Sequence, residues 1–207
     1  AIDRFMEGQA LRPLTETEKI TVLKLMELQR QTMLIYTSCG WFFDDLAGIE
    51  TVQVMSYAAR ALQLAQEIFG NNLESDFLKE LRKAKSNRAG VGDGTQIYES
   101  LVRPSIFDLA RVGAHYGVGT LFNDYPERAK IYCYTAEMED RQIQEAGRAK
   151  LALGKARITS DITLEYTVYG FAVLHMGDHN LIGGVREFPD DHSYETMIEE
   201  VGGAFTK

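Results

Sequence analysis

The sequence predicts an α+β fold, with a helical bundle over residues 1–122 followed by a roughly four-stranded antiparallel β-meander and a terminal helix over 123–207. Three observations carry that expectation. A capping signal, Thr15-Glu16-Thr17-Glu18, precedes a long run free of Gly and Pro. The apolar period then changes from 3.6 to 2 near Phe122. Beyond that point the chain is punctuated by short turn signals instead of helix caps.

The elements follow in order. The Thr15 hydroxyl can accept from the third helical amide while Glu18 reaches back to the cap amide, which starts a helix running to about Tyr36. Val22, Leu25, Met26 and Met33 share one face of it. After a turn over 37–47, a second helix is expected from Gly48 to Phe69, with Met55, Ala58, Ala59, Leu62, Ala65 and Phe69 at three- and four-residue steps. Gly70-Asn71-Asn72 stops it. A charged outer helix over 73–86 turns Phe77, Leu78 and Leu81 inward, and Gly90 to Gly94 form a loop. Short helices fit 95–103 and 105–117 around Pro104. Strands are expected from Ile131, over 148–159, over 162–175 and over 179–188, with turns at Ser160-Asp161 and Gly177-Asp178. A last helix near 192–201 is expected to end at Gly202-Gly203, and the sheet to pack on helices.

Composition narrows the function classes. With 45% hydrophobic and 25% charged residues the chain reads as globular, one large domain or two small ones sharing a core. The net charge of -8 disfavours nucleic acid and anionic membranes as partners. No stretch approaches the roughly 18 apolar residues of a membrane span. The N-terminal residues lack the basic and apolar regions of a signal peptide, so a cytoplasmic location is expected. The absence of an initiator Met suggests a piece of a longer protein or a processed chain. Cys39 and Cys133 lie far apart without CxxC spacing, and both are expected to be reduced. No cofactor and no metal are expected.

The turn Cys39-Gly40-Trp41-Phe42-Phe43-Asp44-Asp45 is the most function-like segment. A planar ring can stack on the apolar face of a sugar, and neighbouring carboxylates accept hydrogen bonds from its hydroxyls. Against this stands a plainer reading, in which the aromatics plug the open end of the bundle and Asp44 or Asp45 caps the next helix. Asp44, Asp45 and Glu50 offer an acid/base pair as a lesser reading, but a glycosidase sets its carboxylates on opposite sides of the scissile bond, roughly 5–5.5 or 6.5–9.5 Å apart, which adjacent residues on one turn seldom achieve.

His175, Asp178 and His179 gather around a turn, a polar cluster without a recognised zinc spacing. Gly90-Val91-Gly92-Asp93-Gly94-Thr95 lacks the Lys and the preceding strand of a phosphate loop. His115 reads as a core or interface histidine, with a pocket-lining role as the alternative. No nucleophile elbow is present.

Three stretches carry a family resemblance: Tyr36 to Asp45 with Gly48-Ile49-Glu50-Thr51, Tyr98-Glu99-Ser100-Leu101-Val102-Arg103-Pro104, and Leu174-His175-Met176-Gly177-Asp178-His179-Asn180. Together they resemble an uncharacterised domain family found C-terminal to the catalytic module in proteins related to glycoside hydrolase family 57, the α-amylase and α-mannosidase-like group. That resemblance implies a partner, an N-terminal (β/α)7 barrel carrying the Glu nucleophile and the Asp acid/base. It also implies a helical bundle that leans over the cleft with aromatic and acidic contacts. One such contact motif has a Trp beside an Asp; here the Asp follows the aromatics. The implied substrate-binding set is Trp41, Phe43, Asp44, Asp45 and His115, the implied ligand an α-linked oligosaccharide, and no catalytic residue is carried over. The alternative is a structural or oligomerisation module with no ligand site of its own.

Overall fold

The computed structural model describes residues 2–205. It is α+β, with helices, a five-stranded antiparallel sheet and a C-terminal helix. The chain divides into two compact units, Ala1–Ile106 and Phe107–Lys207.

In the first unit, α1 (Ile2–Gln9) and α2 (Glu16–Leu34) are followed by a four-residue turn of helix, α3 (Cys39–Phe42), and by α4 (Ile49–Phe69) and α5 (Glu74–Leu81). The capping box at Thr15 and Glu18 forms as expected. Glu18 is held down at a pKa of about 2, first by the Arg12 guanidinium and then by the Thr15 amide. Helix α4 buries Met55, Ala58, Ala59, Leu64 and Ala65 and ends at Gly70 in the left-handed region, φ 70°. Phe77, Leu78 and Leu81 of α5 pack on a small core of Met55, Ala59, Ile97, Tyr98 and Val102.

Helix α2 departs from expectation. The face shared by Val22, Leu25, Met26 and Met33 points outward, leaving Leu25 40%, Met26 46% and Met33 65% exposed. Its buried residues are instead Glu27 and Gln31. Glu27 is paired with Arg30 at 2.7 Å and accepts from Gln31 Nε2 at 2.7 Å, while Lys24 reaches Glu67 of α4 at 3.0 Å. Burial pushes the Glu27 carboxyl up, but the bonds from Arg30 and Gln31 outweigh it and leave it below its ordinary value. Glu27 can lie on the inner face because Arg30 and Gln31 both donate to its carboxylate there.

After the loop, α6 (Gly94–Ile97), capped by Asp93, runs into a π-turn at Tyr98–Val102 and a 3₁₀ turn at Arg103–Ser105. This replaces the single helix expected over 95–103.

The second unit opens with α7 (Leu109–Gly119), capped by Asp108, followed by a meander of neighbouring strands. They are β1 (Arg128–Ile131), β2 (Tyr134–Ala146), β3 (Ala149–Ser160), β4 (Tyr166–His175) and β5 (Leu181–Arg186). The expected four strands become five because the chain turns tightly at Tyr132-Cys133, pairing Ile131 with Tyr134. Tyr132 adopts φ 55° there, a turn that neither Gly nor Asn announces. The alternation at 162–165, read as strand, belongs to a turn in which Leu164 sits at φ 58°. Helix α7 covers one face through Val112 and Tyr116, against Ala152, Ala156, Ile158, Tyr169, Phe171 and Val173. Gly117 and Gly154 make room for Phe171: a Cβ on either would lie 3.0 or 2.5 Å from its ring.

Helix α8 (Asp191–Phe205) lies on the other face. The Tyr194 hydroxyl donates to Asp140 at 2.6 Å, and Lys155 pairs with Asp191 at 2.9 Å. The helix does not stop at Gly202, which lies close to the Gln144 side chain. Among the described residues, no helix is long and apolar enough to cross a membrane. Cys39 and Cys133 are both free and exposed.

Candidate functional site

The Trp41 turn is built outward from α4. The Thr51 hydroxyl donates to the carbonyls of Gly40 at 3.2 Å and Asp45 at 3.3 Å, tying both ends of the turn to the first turn of α4. Gly40 packs so closely on α4 that a Cβ there would stand 2.8 Å from Val54. That contact fixes α3, and α3 presents its aromatics to solvent. Trp41 and Phe42 are each 73% exposed and Phe43 is 50% exposed. The Phe42 and Phe43 rings meet edge to face at 5.2 Å. The aromatics therefore do not plug the bundle.

The two carboxylates play different parts. Asp45 is buried. One oxygen accepts from the Ala47 amide at 2.8 Å, and the other from the Ser86 hydroxyl and the Asn87 amide, each at 2.8 Å. Arg88 Nε lies 3.7 Å away. Burial raises the Asp45 pKa, but these donors and the Arg88 charge prevail, so the group sits below its ordinary value. Asp44 is exposed, and its backbone carbonyl accepts from the Asn87 side chain. The loop over 86–88, some forty residues downstream, thus positions the turn. No local sequence signal marks it, because the pairing is long-range.

The other expected site residues lie apart. His115 is exposed on α7, whose inward positions are taken by Val112, Gly113, Tyr116 and Gly117, so it is not a core histidine. His175 ends β4, its Nε2 3.1 Å from the Asp178 carbonyl and its ring edge to face with Phe122 at 5.2 Å. Asp178 pairs instead with Arg148 at 2.9 Å, and His179 is exposed. The three side chains do not converge, and the contact within the turn is the one from the His175 ring to the Asp178 carbonyl. Among the described residues, no group of three or more His, Cys, Asp or Glu could hold a metal ion.

The Tyr98 to Pro104 stretch is also structural. Tyr98 is fully buried and its hydroxyl donates to Glu74 at 2.8 Å. Arg103 pairs with Glu99 and with Glu74, and its guanidinium lies 5.7 Å from the Tyr98 ring centre. Burial, reinforced by Glu74, raises the Tyr98 pKa well above the usual phenol range.

No curated protein matches the chain significantly, and no solved structure does. A family model described as Domain of unknown function (DUF3536) matches residues 1–207. Because that match spans the whole sequence, the chain belongs to the DUF3536 family.

Proposed function

We propose that this chain is the accessory C-terminal region of a family 57-like glycoside hydrolase, forming one wall of a carbohydrate-binding cleft with a catalytic barrel and not catalytic by itself. The observation that carries this reading is the exposure of Trp41, 73%, on a turn held rigidly from below. An indole left in water costs apolar surface, and rigid aromatic platforms of this kind suit the apolar face of a sugar ring. Asp44 is the carboxylate left for a sugar hydroxyl, and Phe43 adds a second ring. Asp45 acts through the turn as a positioning residue. His115, His175, Asp178 and His179 carry no part of the reading.

The chain alone should not hydrolyse α-glucans; hydrolysis by it would sink the accessory assignment. In the full-length protein, Trp41→Ala should lower kcat/KM on an α-linked oligosaccharide by about 10-fold or more, the loss of roughly 1.4 kcal/mol of binding. An unchanged kcat/KM would remove Trp41 from the cleft.

A further inference from the structure

The loop that holds the Trp41 turn also brings a cation to it. Two consecutive residues of the turn lie beside two consecutive residues of the loop. The Asp44 carbonyl accepts from the Asn87 side chain, and Asp45 faces Arg88. The Arg88 amide donates to the Ser86 hydroxyl at 3.0 Å, and that hydroxyl donates in turn to Asp45 at 2.8 Å. The root of Arg88 is therefore fixed by the same bonds that fix the turn, while its side chain is 65% exposed.

The tip is left over because Asp45 is already satisfied. A carboxylate beside an arginine often takes two parallel N–H bonds from it. Here one Asp45 oxygen is taken by the Ala47 amide and the other by Ser86 and the Asn87 amide. Arg88 Nε stays at 3.7 Å, beyond hydrogen-bond length. Among the described residues the guanidinium makes no hydrogen bond, so all its donors face water. The exposed Asp44 carboxylate springs from the neighbouring turn residue.

We infer, resting on the carbohydrate reading of the Trp41 turn, that Arg88 belongs to the same wall and forms with Asp44 a donor–acceptor pair for the vicinal hydroxyls of a neutral sugar. A hydroxyl both donates and accepts. Of two neighbouring hydroxyls fixed on a ring, one donates to the carboxylate and the other accepts from the guanidinium. The apolar face of the ring is left for stacking on an aromatic side chain. Charge selects the class of sugar. Two carboxylates, Asp44 and Asp45, stand against the one guanidinium at this end of the turn, so an acidic sugar meets net repulsion that a neutral one does not. A guanidinium is also more weakly hydrated than an ammonium, so it gives up less when it exchanges water for a hydroxyl.

The test follows Trp41 emission while the protein is titrated with maltotriose and, separately, with trigalacturonate, an acidic sugar of the same length. Wild type should bind maltotriose saturably and trigalacturonate at least about 10-fold more weakly. Arg88→Met, which keeps the stem and loses the donors, and Arg88→Ala should each weaken maltotriose binding by about 10-fold, the worth of one charge-assisted hydrogen bond. Arg88→Lys should recover part of that loss, since the charge returns without the planar fork. Amide exchange at Ala47 and Asn87 should keep its wild-type rate in these variants. Maltotriose binding by wild type that both the Met and the Ala variant retain overturns this inference and leaves the Trp41 wall standing. So does trigalacturonate that binds as tightly as maltotriose, or binding lost only together with faster exchange at Ala47 and Asn87, which would make Arg88 a prop of the turn. Wild-type emission that answers neither sugar removes the wall, and Arg88 with it.

Discussion

Both units bury an apolar core, and they differ in what else they bury. In the second, α7 and α8 lie on the two faces of the sheet, and Ile158, Phe171 and Val173 are 2% exposed or less. In the first, an exposed apolar series runs from Leu25 along α2 through Tyr36 to Trp41, Phe42 and Ile49, while two carboxylates, Glu27 and Asp45, are buried. Both carboxylates are fully partnered, so the arrangement does not leave bare charge inside. The contrast teaches where to look for recognition. The second, closed unit buries no carboxylate among the described residues, whereas the first, open one buries two and carries a run of apolar side chains in water.

The contrast can be broken most forcefully in the closed unit. Phe171→Ala should destabilise it by about 3–5 kcal/mol, because the ring fills space that Gly117 and Gly154 leave for it. Denaturant unfolding measures this, and a loss near zero would mean that the sheet is not clamped as described.

An intermediate effect is expected at Asp45. Asp45→Asn keeps the shape but removes the charge that Ser86, Asn87 and Arg88 converge on. Amide exchange at Ala47 and Asn87 should quicken and the melting temperature should fall. The pH dependence has a definite sign. The folded-state pKa lies below the ordinary 3.8, so the contribution of Asp45 is complete above that value and is lost as pH falls through the lower, folded value. The Asn variant should lack that part of the acid transition. An identical acid transition in both proteins would show that the carboxylate is not held as charge.

The smallest effect on stability belongs to the exposed series. Trp41→Ala and Met33→Gln should each change unfolding free energy by no more than about 0.5 kcal/mol. A larger loss at Trp41 would return it to a packing role and undo the contrast between the units.

How much of this was legible in sequence depends on the range of the interaction. The capping box at Thr15, the stop at Gly70 and the alternation through Phe171 and Val173 are local, and local chemistry suffices to read them. The turn at Tyr132-Cys133 was hidden because a non-glycine residue adopts the left-handed conformation, so β1 and β2 merged and one strand was lost. The outward face of α2 was hidden for a different reason. Periodicity reports that a face exists, not which face turns in. At the candidate site, Trp41 and Asp44 were visible as a type of turn. The separate role of Asp45 was not, because Ser86 and Asn87 come from a loop far along the chain.

Trp41 is the one tryptophan in the chain, so its fluorescence reports on this turn alone. Titrating the protein with a maltooligosaccharide tests the central claim most directly. A sugar stacked on the ring should give a saturable change in emission, weakened by Asp44→Ala and absent with a non-carbohydrate polyol of similar size. Emission that stays constant up to the solubility limit of the sugar would contradict the claim that this turn is a carbohydrate-facing wall.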